Sequence, residues 1–214
     1  MKQIKKQITW LKKNKFLITS IFFFILQIAL LYKYIFLSRF ENILWFCSHS
    51  SLFFGIGFLI KNTKLIKAFI SVGLIIQILW VIDYLGKIIF GVFVFGAADY
   101  MFMDIPRFSY AVSAIEHFFT GTLALILTYK YKPQKKSLLY AFIYLLLLLT
   151  ATLSFGSPEY NYNLTEHMII FNEFTFPYYQ VSWIFLAMII IVIPTHYFQV
   201  LLYKIHIKKK KQNP

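Results

Sequence analysis

The sequence predicts an all-α membrane protein: a bundle of six transmembrane helices with the N- and C-termini cytoplasmic. Three observations carry the prediction: composition, six long apolar runs, and the placement of the basic residues. Of 214 residues, 59% are hydrophobic, 21% aromatic and 14% charged. A soluble domain has about 25% charged and roughly 45–50% apolar residues. The excess apolar surface calls for lipid as its solvent.

A span needs about 20 residues at 1.5 Å rise each. After a basic tail over 1–15, the first run covers 16–37. It resembles the apolar core of a signal peptide, but no small-residue cleavage site follows, so it reads as an uncleaved span. The second run is 43–60 and the third 65–85, where Asp83 and Lys87 interrupt the apolar pattern. The apolar piece 88–98 then reads as a re-entrant or interfacial segment. The remaining runs are 108–129, 137–156 and 180–203, before a basic tail over 204–214. Residues 157–179 are too polar to span and too aromatic for a plain linker, so they are expected to fold over the outer end.

Orientation follows from Lys and Arg. Six Lys precede the first span, Lys61, Lys64 and Lys67 follow the second, and Lys130, Lys132, Lys135 and Lys136 follow the fourth. Lys204 and Lys208 to Lys211 close the chain. With six spans all of these lie on one side, the cytoplasmic side of a cell membrane. The other side has only Lys33, Arg39, Lys87 and Arg107, and six of the eight acids. Net charge is +14, but the cations sit between apolar runs as topology signals. The expected partners are membrane lipids and a lipid or small-molecule substrate, not nucleic acid. One cysteine excludes an internal disulfide and a multi-cysteine metal site. Without a metal-binding or phosphate-loop motif, neither a metal nor a cofactor is expected.

The informative residues are polar groups inside the spans. An ionised acid at mid-span costs roughly 2.5–3.5 kcal/mol, so it faces protein or water rather than lipid. In "SAIEHFF", Glu116 and His117 stand about 13 Å below the outer end of the fourth span. Neighbours on a helix point about 100° apart, so the two side chains are not expected to aim at one point. Cys47 lies roughly 6 Å below the outer end of the second span. Ser48, Ser51 and Gly55 form a small-residue face there, whose commonest meaning is close packing. Gln77, Trp80, Asp83 and Tyr84 form a helical stripe, readable as an interfacial anchor or part of a site. Cys47, Asp83, Glu116 and His117 therefore share the outer half. His196, after Pro194, reads as a snorkelling residue in a kinked helix.

"LWF" at Leu44–Phe46, "LWVIDYLG" at Leu79–Gly86, "YMF" at Tyr100–Phe102, the fourth-span His117 and "NYN" at Asn161–Asn163 carry a resemblance. Together they look like a family of bacterial multi-pass membrane proteins with no assigned activity. The resemblance marks Asp83, Tyr100, His117, Asn161 and Asn163. Where the family often places an Asp after "LWF", this chain has Cys47-Ser48-His49. A fainter similarity is to six-span lipid hydrolases of the androgen-induced-gene type, which pair a hydroxyl nucleophile with a later His. Ser48 or Ser51 with His117 would fit it.

Three functions are compatible with these residues. In a lipid hydrolase or acyltransferase, His117 is the base, Cys47, Ser48 or Ser51 the nucleophile, and Asp83 or Asn161 orients the His or polarises a carbonyl. Tyr100, Asn163 and Trp80 would line the substrate. In a transporter or proton relay, Asp83, Glu116 and His117 titrate. In a structural membrane protein the same groups serve packing.

Overall fold

The computed structural model describes residues 2–38, 40–156 and 179–212, without the side chains of 2–12 and 181. The described residues form helices and connecting turns, with no strand. They are α1 (Lys2–Phe36), α2 (Phe46–Leu59), α3 (Thr63–Phe90), α4 (Arg107–Thr128), α5 (Lys135–Phe155), α6 (Tyr179–Ala187) and α7 (Ile193–Gln212). A π turn, Met188–Val192, joins α6 to α7. Among the described residues, five helical stretches are long and apolar enough to cross a membrane, and α2 is a shorter apolar helix of 14 residues. The helices are thus compatible with a multi-pass membrane protein. The tails expected at 1–15 and 204–214 continue α1 and α7 as helix, up to Gln212. Residues 157–178, with Asn161, Asn163 and the expected outer cover, lie outside the described residues.

The third span differs from expectation. α3 passes Asp83 and Lys87 without a break and ends at Gly91, whose φ of 76° gives the left-handed turn that suits glycine. Both charged side chains are satisfied locally, which removes the reason to stop. Lys87 Nζ donates to the Gly91 carbonyl at 2.9 Å and lies 4.9 Å from the Phe93 ring centre. Residues 91–98 form bends and turns rather than helix. They fold back on α3, with Val92 and Val94 against Gly86. At the opposite end, Asn62 caps α3 by accepting from the amides of Lys64 and Leu65 at 3.1 and 3.2 Å.

The break expected at Pro194 takes the form of the π turn. Proline has no N–H for the preceding turn, and the Thr195 hydroxyl donates to the Ile191 carbonyl at 2.7 Å. His196 does not snorkel: it is 5% exposed.

The core is aromatic and lies between α1, α2, α3 and α5. Phe23 stacks on Phe58 at 5.7 Å and Phe53 on Phe69 at 4.4 Å, with Leu145 and Leu149 of α5 against them. The expected packing face of α2 is present: the Ser20 hydroxyl donates to the Gly55 carbonyl at 2.8 Å, and the Phe24 ring covers Gly55. α3 and α4 are joined by Gln77. Its Nε2 donates to Thr120 Oγ1 at 2.6 Å, and its Oε1 accepts from the Gly121 amide at 2.9 Å.

A methyl group on Gly121 would collide with the Gln77 amide oxygen. Gly121→Ala therefore costs about 1–3 kcal/mol, through overpacking and the loss of a buried hydrogen bond. The check is the thermal midpoint in detergent, expected to fall. An unchanged midpoint would mean that Gln77 is not a clamp.

Candidate functional site

The polar groups meet at the end of the bundle opposite the basic loops. α1 brings Lys33 and Tyr34, the first turn of α2 brings Cys47 and Ser48, α3 brings Trp80, and α4 brings Ser113, Glu116 and His117. Tyr100 comes from the short 3₁₀ turn Asp99–Phe102 between α3 and α4.

His117 fixes the chemistry of the centre. It is buried, and its Nδ1 lies 2.9 Å from the Ser113 carbonyl. A carbonyl only accepts, so Nδ1 carries the proton and Nε2 keeps a free lone pair. The ring stacks on Trp80 with centroids 4.2 Å apart and planes 18° from parallel. Trp80 in turn stacks on Tyr84 at 5.3 Å. The imidazole is thus held on one face and along one edge.

Cys47, Glu116 and His117 converge. One donor atom from each lies within 4.8 Å of the others. Glu116 Oε2 is 3.9 Å from His117 Nδ1, while Glu116 Oε1 is buried with no hydrogen-bond partner. The expectation that Glu116 and His117 diverge is therefore corrected. Their Cβ atoms do leave α4 in different directions. However, α4 packs against α1 and α2 on one side and α3 on another, so both directions lead into the bundle. The side chains then close the gap.

Lys33 is the residue that sequence reasoning misplaced. It reads as one of a few outer cations, yet it is 7% exposed. Its Nζ donates to Ser113 Oγ at 2.5 Å and lies 5.5 and 5.8 Å from the ring centres of Tyr34 and Tyr100. It stands within electrostatic reach of Cys47, Glu116 and His117. A signal was present: Lys33 lies three and seven residues after Leu30 and Leu26, both buried, on the stripe that faces the bundle.

The other candidates take different places. The Ser48 hydroxyl donates to the Asn42 carbonyl at 2.6 Å and lies 2.6 Å from the Tyr34 hydroxyl, so it is engaged in holding the start of α2. Ser51 is buried without a hydrogen-bond partner. Asp83 does not orient His117, because both of its oxygens are occupied elsewhere. Oδ1 accepts from the amides of Phe95 and Gly96 at 2.7 and 3.2 Å, and Oδ2 from Ala98 at 2.8 Å. Asp83 is itself fully buried in the protein. It fixes the strap that leads into Tyr100. Tyr100 stands beside Trp80, with ring centres 6.4 Å apart. Loss of water there, then the neighbouring Cys47 and Glu116, push its ionisation well above the ordinary phenol range.

No family model, curated protein or solved structure matches the chain. The site is therefore read from its geometry.

Proposed function

We propose that the protein is a membrane-embedded enzyme of the hydrolase or acyltransferase class, acting on lipid esters with Cys47 as nucleophile and His117 as base. It sits in the cell membrane with both termini cytoplasmic, which places the site in the outer half, near lipid ester bonds. The single observation that carries this reading is the convergence of Cys47 of α2 with Glu116 and His117 of α4 within 4.8 Å. A thiol within 4.8 Å of an imidazole nitrogen is a small side-chain movement away from the pairing that nucleophilic catalysis needs.

The steps balance. Nε2 takes the thiol proton, Sγ attacks the ester carbonyl, and the oxyanion forms beside Lys33 and Tyr100, whose N–H and O–H groups can donate to it. Collapse breaks the ester C–O bond, and the imidazolium returns its proton to the departing alcohol. Water or an acceptor alcohol then attacks the thioester, losing its proton to Nε2 and restoring the thiol. Glu116 offers its charge to the imidazolium.

The test is labelling with an electrophilic lipid-like probe in membranes, followed by peptide mapping. Labelling is expected at Cys47, lost in Cys47→Ala and retained in Ser48→Ala and Ser51→Ala. Labelling that persists in Cys47→Ala would remove Cys47 from the mechanism.

A second reading uses the same atoms. Thiolate, imidazole and carboxylate are a ligand set for zinc, and the unpartnered Glu116 oxygen suits it. Elemental analysis of the purified chain separates the two. One zinc per chain, lost in Cys47→Ala, would support the metal centre over the thiol nucleophile.

A further inference from the structure

A second polar cluster lies at the other end of the bundle, where the basic loops emerge. Lys67 stands on the second turn of α3 and is 1% exposed, and its Nζ has no hydrogen-bond partner. His196 and Gln199 of α7 face the same place. His196 is within electrostatic reach of Lys67, and its Nδ1 is buried without a partner. The Gln199 Nε2 donates to the Lys67 carbonyl at 3.2 Å and to Ser71 Oγ at 2.8 Å, which leaves its buried Oε1 unpartnered.

A buried ammonium without a counter-charge or hydrogen bonds is expensive. Among the described residues no carboxylate can supply one. Glu41, Asp83, Asp99, Asp104 and Glu116 all belong to the opposite end of the bundle by their places on the helices. Any counter-charge to a protonated Lys67 therefore has to come from outside these residues. The π turn Met188–Val192 stands one turn before His196 and widens the helix where the cluster begins.

We propose that Lys67 and His196, framed by Gln199, form a binding site for a phosphate group at the basic end of the bundle. Lys67 supplies the charge, and the imidazole supplies a donor. The phosphate belongs either to the headgroup of an anionic phospholipid or to a small soluble anion. The site is separate from the Cys47 centre and does not depend on its chemistry.

The experiment uses the purified full chain in vesicles of phosphatidylcholine, with and without phosphatidylglycerol, and with millimolar inorganic phosphate as a third arm. The thermal midpoint of the wild type is expected to rise by roughly 5–10 °C when the site fills. A rise with phosphatidylglycerol alone names a lipid headgroup, and an equal rise with inorganic phosphate names a soluble anion. Lys67→Met is expected to lose most of that rise, whereas Lys61→Met, in the exposed loop nearby, keeps it. Gln199→Glu supplies an internal carboxylate beside Lys67. It is expected to raise the midpoint in phosphatidylcholine and abolish the response to either anion, and it stands as the test if Lys67→Met does not fold. The proposal is overturned by a wild type that responds to neither anion. It is equally overturned if Lys61→Met loses as much of the rise as Lys67→Met, or if Gln199→Glu responds like the wild type.

Discussion

His117→Phe is expected to slow acylation of Cys47 by a lipid-like electrophile by about 10²–10⁴-fold, the usual contribution of a positioned general base. Phenylalanine keeps a ring against Trp80 and removes both nitrogens, so the change is chemical more than steric. The hydrogen bond lost to the Ser113 carbonyl is worth only about 1 kcal/mol. The variant should therefore melt close to the wild type while its labelling collapses. The measurement is the initial labelling rate at neutral pH, with the thermal midpoint alongside. Wild-type labelling in a folded His117→Phe protein would mean that the thiol needs no base from α4.

Asp83→Ala should produce the largest loss of stability among single changes near the site. Three backbone amides lose their acceptor at once, and Ala98, which makes one of those bonds, is fully buried. An unsatisfied buried donor costs about 1–3 kcal/mol, and bonds to a charged acceptor are the stronger ones. The amides of Phe95 and Gly96 regain some water, so a total of about 2–4 kcal/mol is expected. Amide hydrogen exchange over residues 95–98 should accelerate, and probe labelling should fall because Tyr100 loses its support. Unchanged exchange there would show that the strap is held by something other than Asp83.

Much of this architecture was legible in the sequence, because lipid imposes a simple rule on it. Long apolar runs between basic loops leave few options, and the small-residue face at Ser48, Ser51 and Gly55 packs as that pattern implies. The site was legible only as a depth. Cys47, Glu116, His117 and Tyr100 were each expected near the outer end, but whether their side chains meet depends on helix rotation and rotamers. Lys33 was missed because counting charges treats every terminal cation as a topology signal. Asp83 was over-read for a related reason. A buried acid suggests chemistry, and only coordinates reveal that three amides from a later segment consume it. Lys67 was counted in the same way as Lys33, as a loop cation, although Leu65 and Ile66 beside it belong to the apolar run.

The brevity of α2 has a mechanical consequence for the surrounding lipid. Fourteen residues rise about 21 Å, against a hydrocarbon layer of about 30 Å. Where so short a helix crosses a bilayer, local thinning is one way the mismatch is relieved. Most of α2 is buried in the bundle, so only the few acyl chains that reach Leu52 and Leu59 would be compressed and their glycerol backbones drawn toward the midplane. On the proposed function, a substrate ester would then reach Cys47 by sagging with its own leaflet, without being extracted from it.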